Sequence, residues 1–499
     1  MKRICLFLSL VLSSVCQLGA ASKAVDDGLV IAGVTVISPE RSEPLRDATV
    51  VIRGDHIAEI GTDLVAGAHA QKIDGAGRFL VPGLIDSHVH VGNMGPLDDD
   101  AIESHPELLR AYRSQLPRSY LAFGFTTLVD LDLRPETLAW FNASPNHPNL
   151  CSCGRGVRIV GGYMALKPPK DANAGKAANI VYEPNTKDWP PDLDPNDYAP
   201  ARAVARANDA GAICLKTFIE PGFGGAAQWP TPRPETLAAL RDEARRHGLV
   251  FVVHANALQS WRAAIDAQAD VIAHGIWQWP GDRMSSTSPP EVREVIRSAA
   301  RAHRSVQPTL RAVYGDLSIF DKSLLHDPRL GEALPHSVIS YLQNDDGKKA
   351  QEALADEYRE AIARWLGSDS VDPAKAMAVA PARATATLRL MQAAGMRLLF
   401  GTDTPSNEGI GNPPGLNGRL EIGHWSDAGI AATQILRAAT FDNAKAFGLS
   451  DRGTIEVGKR ADLLLLRKNP LQTIEAYDSI ETVIVNGNPI RRTALLPTE

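Results

Sequence analysis

Cysteine is scarce in this chain, with five in 499 residues. Two of them, Cys5 and Cys16, fall in an N-terminal segment of separate character. The three that remain, Cys151, Cys153 and Cys214, are odd in number and thinly spread, so no disulfide framework of the small secreted type is expected. Beyond the N-terminus no apolar run approaches the roughly 20 residues needed to span a bilayer. With a net charge of -6 and no basic stripe, the chain offers nothing that would recruit nucleic acid. Gly222-Phe-Gly-Gly225 is too short and wrongly placed to cradle phosphate, which disfavours nucleotide chemistry. Paired Cys-x-x-Cys motifs, heptads and internal repeats are also missing. What is present is enough apolar sequence for a large core and more than one domain.

The first residues, Lys2 and Arg3 followed by an apolar stretch from Ile4 to Val15 and then Gln17-Leu-Gly-Ala-Ala-Ser22, have the layout of a secretory signal over residues 1–21. Cleavage near Ala20 or Ala21 would send the mature protein to the periplasm or the medium. Cys16 raises a lipoprotein alternative, although Val15 suits the position before a lipidated cysteine poorly.

From residue 24 to 81 the pattern reads as strands: Val30–Ile37, Ala48–Arg53, a tight turn at Gly54-Asp55, and His56–Ile60. So few strands need partners, and the C-terminus has them in Ala461–Leu466 and Ile480–Val485. A small β sandwich composed of residues 24–81 and 451–499 is therefore expected. Between 82 and 450, short apolar strands ending near His90, Asp130, Gly161, Lys216, His254, His274, Thr309 and Asp403 alternate with helical stretches such as Pro234–His247 and Pro290–His303. Eight such strands close a (β/α)8 barrel, which places its chemistry at their C-terminal ends. Residues 162–200, rich in Pro, Asp, Asn and Lys, predict a long irregular loop over that face. Residues 310–390 predict an added helical layer or lid.

His88 and His90 close the apolar run Leu80-Val-Pro-Gly-Leu-Ile-Asp-Ser-His-Val-His90. On a strand their spacing points both imidazoles the same way. An isolated pair of this kind is two polar residues at a strand end. Here Lys216, His254, His274 and Asp403 end further apolar segments, and that repetition makes a ring of metal ligands the better reading. A charged Lys216 after Ala212-Ile-Cys-Leu215 would be costly unless paired.

Taken together, Val81-Pro-Gly-Leu-Ile-Asp-Ser-His-Val-His90, the His254 and His274 strand ends, Gly401-Thr-Asp403, and the tail from Leu436 through Gly453-Thr-Ile-Glu-Val-Gly-Lys-Arg-Ala-Asp-Leu463 resemble the amidohydrolase superfamily. The resemblance covers most of residues 29–490 and is nearest to its imidazolonepropionase-like and prolyl-dipeptidase-like branch. It implies a distorted (β/α)8 barrel joined to a composite β sandwich. It also implies two divalent metal ions: His88, His90 and Asp403 on the more buried one, His254 and His274 on the second, and Lys216 carbamylated by carbon dioxide as the bridge. Zinc suits these nitrogen and oxygen ligands, with manganese, iron and cobalt as other candidates.

In that arrangement two close ions would lower the pKa of a shared water and present hydroxide to the substrate. Asp403 would be both ligand and general base, moving the proton to the leaving atom. His274 needs an acceptor for its second ring nitrogen, which the sequence does not identify. Tyr163, Lys167, Tyr314, Arg419 and His424 follow strand ends and are candidate substrate contacts. Arg419 or Lys167 would meet a substrate carboxylate, and arginine would do so with the better-defined geometry. Gly161-Gly-Tyr-Met164 departs from the Gly-Gly-His of relatives, so no single relative's specificity transfers. The sequence thus predicts an exported amidohydrolase acting on a small-molecule amide, a dipeptide or an N-acyl amino acid, as a monomer or homo-oligomer. A cyclic amide, lactone or organophosphate hydrolase is the enzymatic alternative, and a noncatalytic small-molecule binding protein the other.

Overall fold

A computed structural model describes residues 23–498 apart from 185, 187, 188, 223–227, 369 and 406–408. The expected signal segment lies outside the described residues.

Two architectures share the chain. Strands from both ends build one mixed sheet in the order Asn488–Arg491, Ile480–Val485, Leu463–Leu466, Phe79–Pro82, Leu29–Val36, Leu45–Arg53 and His56–Gly61, with Gln71–Asp74 also pairing Leu29–Val36. Its apolar face buries Ile31, Val34, Val50, Ile52, Leu463 and Ile484 into one core. Neither terminal segment has enough strands to bury that face alone, which explains the composite construction.

The barrel strands are Leu84–Val89, Phe125–Asp130, Asn149–Ser152, Cys214–Phe218, Val250–His254, Val271–Ala273, Ser305–Gln307 and Arg397–Leu398. All their pairings are parallel. Bridges Val157 to Thr217 and Val89 to Thr404 close the circle. The first two strands are buried at every position, as parallel strands covered on both faces must be. Phe79–Pro82 of the sandwich runs directly into the first barrel strand through Gly83. A Cβ there would lie 2.0 Å from Thr126 Oγ1, so only glycine lets the chain pass.

Three expectations need correction. The third barrel strand is Asn149–Ser152, not a segment ending near Gly161; Arg158–Ile159 instead pairs with Ile180–Val181 in a separate ribbon. Residues 162–200 are not irregular throughout, since Ala172–Ala177, Ile180–Val181 and Pro195–Tyr198 are regular pieces around Val160, Ile180, Leu193 and Tyr198. Cys153 and Cys214 form a disulfide, leaving Cys151 free. The odd count concealed the pair because it arises from the third and fourth strands meeting in space, across 61 residues of sequence. The 310–390 region is helical, its longest members being Asp345–Leu366 and Val379–Ala393. Among the described residues no helix is long and apolar enough to cross a membrane.

Candidate metal centre

The last barrel segment is stitched to the first by backbone hydrogen bonds: Ser87 N–H to Phe400 O at 3.0 Å, Asp403 N–H to His88 O at 2.7 Å, and His90 N–H to Thr404 O at 2.7 Å. That register sets Asp403 beside the histidine pair. Gly401 is required by the close approach, because a Cβ there would stand 2.8 Å from the Cβ of His88. Asp86, fully buried, ties the same two segments from below, accepting from Thr402 Oγ1 at 2.7 Å, Thr402 N–H at 3.1 Å and His88 N–H at 3.2 Å. Burial raises its carboxyl to about 7.

Ligand atoms of His88, His90 and Asp403 all lie within 4.8 Å of one another. Asp403 Oδ1 is 3.1 Å from His88 Nε2 and 3.0 Å from His90 Nε2. The first contact is close without hydrogen-bond alignment, since neither buried ring nitrogen of His88 has a hydrogen-bond partner. A buried imidazole nitrogen left unmet is costly, and a cation between the three groups would take up Nε2, the His88 nitrogen that faces Asp403. Burial lowers His88 to about 3, keeping the neutral form that a metal needs. Burial opposes ionisation of Asp403 as well, but the adjoining imidazoles, His88 foremost and then His90, hold it well below the usual carboxylate range.

From this triad the imidazoles continue as a row. Ring centroids are separated by 5.4 Å for His90 and His88, 5.0 Å for His88 and His274, and 4.5 Å for His274 and His254. Lys216 is buried in the same cavity, which all six expected ligands line. Burial lowers its amine to about 7, against the pull of Asp403 and Asp132. Among the described residues no carboxylate is within ion-pair distance of Lys216 Nζ. His254 and His274 do not join the 4.8 Å group.

Two residues that hold this row were not identified from sequence. Glu220, fully buried, places Oε2 3.2 Å from His254 Nε2 and accepts from Asn256 Nδ2 at 2.7 Å. A proton held on Nε2 would leave Nδ1 of His254 as the ring nitrogen with a free lone pair. Thr309 Oγ1 is 2.8 Å from His274 Nδ1, the partner missing from the sequence reading, and it leaves Nε2 for ligation. Thr309 has a left-handed backbone (φ +46°), as do His274 (φ +83°) and Asp403 (φ +61°). Such conformations in non-glycine residues persist where surrounding structure enforces them. For Thr309 the enforcing group is the buried Glu421 carboxylate, which accepts the next two backbone N–H groups, Leu310 at 3.0 Å and Arg311 at 2.7 Å. Thr309→Val keeps the shape and removes the oxygen. It is expected to weaken metal binding roughly 10–100-fold, read by metal titration; an unchanged affinity would discard Thr309 as the orienting group.

Of the five recognition candidates, Tyr163 lines the cavity, 5.3 Å from the His254 ring and 5.6 Å from Trp229. The structure places the others elsewhere. Arg419 already makes its bidentate pair, with Asp478 at 2.8 and 2.7 Å. Tyr314 and His424 stack on each other at 3.8 Å, and Lys167 is exposed on its loop. None of these four is among the cavity-lining residues. Each follows a strand end in sequence, but its turn or helix carries it away from the mouth.

A profile of the amidohydrolase family matches residues 79–490. Ochratoxinase of Aspergillus niger is 23% identical over 483 residues, spanning 91% of this chain and 84% of that protein. Other matches are shorter: a dihydroorotase of Trichlorobacter lovleyi is 36% identical over 20% of this chain and 21% of its own length. An allantoinase of Streptomyces avermitilis is 29% identical over 46% of this chain and 42% of its own. The chain thus spans less than half the length of those two relatives. Among solved structures, a Xaa-Pro dipeptidase superposes with a TM-score of 0.61 at 20% identity, covering 93% of this chain and 99% of that one. Molinate hydrolase superposes with a TM-score of 0.63 at 18% identity, covering 94% and 96%. A family match running from the last sandwich strand through the whole barrel, over a cavity where His88, His90 and Asp403 converge, means that this chain belongs to the amidohydrolase family of metal-dependent hydrolases.

Proposed function

We propose that the protein is a binuclear metal-dependent amidohydrolase that cleaves the amide of a dipeptide or an N-acyl amino acid. The observation that carries this reading is the unbroken row of four imidazoles beside a buried lysine that has no carboxylate partner within ion-pair distance among the described residues. His88, His90 and Asp403 would hold one divalent cation, and His254 and His274 would hold a second. Lys216 joins them after its neutral Nζ attacks carbon dioxide: the N–C bond forms, one carbon–oxygen π pair moves to oxygen, and the displaced proton leaves to solvent. The resulting carbamate replaces a cation with an anion, the charge a bridge between two cations requires. Zinc fits the donor set. Bound cations supply Lewis-acid activation of water and of the scissile carbonyl.

The chain's own groups do the proton work. Asp403, ionised and aimed into the cavity, takes the proton of the attacking water and returns it to the leaving nitrogen. Glu220 and Thr309 hold the His254 and His274 rings in one tautomer. Export is part of the proposal, supported by the composition of residues 1–21 and by the Cys153–Cys214 disulfide, which suits an oxidising compartment.

The test is metal analysis and turnover on the chain lacking residues 1–21. Two tightly held equivalents of zinc, with hydrolysis of Xaa-Pro dipeptides or N-acyl amino acids that a chelator abolishes, is the expected outcome. Full activity with one equivalent would remove the binuclear claim. Turnover confined to lactones or phosphotriesters, or absent altogether at full occupancy, would remove the amide claim.

A further inference from the structure

The cavity over the metal ligands measures about 1130 Å³, above the ordinary range of roughly 300–1,000 Å³ for small-ligand sites, and its two ends differ in chemistry. At the His90 end the second barrel strand finishes at Asp130, whose Oδ1 is 4.0 Å from His90 Nδ1. Just beyond it stands a cationic wall of Arg134, Arg155 and Arg158 around one carboxylate, Asp132. Asp132 takes Arg155 Nη1 on one oxygen, at 2.8 Å, and Arg158 Nη2 on the other. Arg158 spends Nη1 on the Gly156 and Ala178 carbonyls. Among the described residues neither Arg155 Nε and Nη2 nor the Arg134 side chain has a hydrogen-bond partner. Three guanidiniums against the carboxylates of Asp132 and the nearby Asp130 leave net positive charge and unused donors on residues that line the cavity.

At the His274 end the lining is mainly aromatic, and the two arginines it contains, Arg283 and Arg383, are stacked on its indoles. Trp277 lies 5.5 Å from the His274 ring, followed by Trp279 and, from the inserted helix Asp345–Leu366, Trp365. An arginine of the lining itself braces this chamber. Arg383 of the inserted helix Val379–Ala393 stacks 4.2 Å over Trp279 and donates to the carbonyls of Trp277, Asp282 and Ser285. The row starts at His90, beside the second strand, and passes His274, beside the indoles, so a bond lying above that part of it has the arginine wall on one side and indole faces on the other.

We infer that the site selects amides of two unlike halves: a carboxylate-bearing amine half at Arg134 and Arg155, and an extended aromatic acyl half in the Trp277, Trp279 and Trp365 chamber. The inference rests on the amide-hydrolysis reading for its reaction, but the ligand class stands on the walls alone. An acetyl group would leave the chamber unfilled, and an uncharged amine half would leave the guanidiniums unmet.

The experiment uses the zinc-loaded chain with N-(2-naphthoyl)glycine, N-acetylglycine and N-(2-naphthoyl)glycinamide as substrates. The inert N-(2-naphthylsulfonyl)glycine serves as a calorimetric binding probe. The naphthoyl acid is expected to exceed the acetyl acid in kcat/KM by roughly 100-fold or more, from apolar area buried. It is expected to exceed its own carboxamide by roughly 10–100-fold, from the charged hydrogen bonds. Arg134→Met, at an exposed residue without a protein partner, should shrink the acid-to-carboxamide ratio several-fold, and Arg155→Met should shrink it further. Equal rates for naphthoyl and acetyl acids, or a ratio untouched in both variants, would overturn the inference while leaving amide hydrolysis intact. Binding of the sulfonamide with the same arginine dependence, but no turnover of any amide, would uphold the ligand class and sink the hydrolytic reading. No binding and no turnover would sink both.

Discussion

Asp403→Asn is expected to lower kcat at least roughly 10³-fold on any amide the wild type turns over, a loss in the upper part of the range for a general acid or base. Two effects add. The carboxylate oxygen within about 3 Å of both His88 and His90 ring nitrogens becomes a neutral amide, so the first cation site loses its one formal negative charge. Its hold on metal should weaken as well, read by competition with a chromogenic chelator. The proton step is lost independently, since an asparagine cannot take a proton from water and hand it on. Measuring kcat at saturating zinc separates the two: restored occupancy without restored turnover shows the base function. Activity within tenfold of wild type at full occupancy would remove Asp403 from the chemistry and leave it a ligand only.

The barrel and the His88, His90 and Asp403 group were legible because they rest on local signals. An apolar run that ends in a polar residue is visible in one stretch of chain, as at Val250–His254 or residues 80–90, and the hairpin at Gly54-Asp55 is equally local. The supporting residues were not legible, because their roles arise from contacts across the barrel. Thr309 reaches His274 over 35 positions and Glu421 reaches Leu310 over 111, and nothing in either neighbourhood marks them. Arg155 lies between the third strand and a ribbon that the sequence misplaced as a barrel strand, and Arg158 opens that ribbon. Arg419 shows the converse error. Its place after the eighth strand suggested a carboxylate partner, and it has one, but that partner is Asp478 of the C-terminal region rather than a substrate.

Lys216→Ala is the second large effect expected, and it separates the bridging role from ordinary packing. The variant should bind one zinc where the wild type binds two and lose at least roughly 10³-fold in kcat, because the second cation contributes directly to activating water and substrate. Short carboxylates such as propionate, small enough to enter the space vacated by the side chain, should restore part of both the second zinc and the rate. A purely structural lysine would not respond to them. The wild-type protein should carry the mass of one added carbon dioxide, lost on acidification. Its pH dependence follows from burial, which lowers the amine to about 7 from 10.5 in the unfolded chain. Above pH 7 the folded amine is neutral and can attack carbon dioxide, so uptake should be faster at pH 8 than at pH 6. For metal-free, carbon-dioxide-free protein the unfolded chain holds one more proton than the folded one between about 7 and 10.5. Stability from this residue therefore rises with pH across that window, and the penalty is complete below it, on the order of a few kcal/mol. Lys216→Met should remove that slope. A variant that kept two zincs, full turnover and the wild-type pH dependence of unfolding would leave Lys216 with no part in the centre.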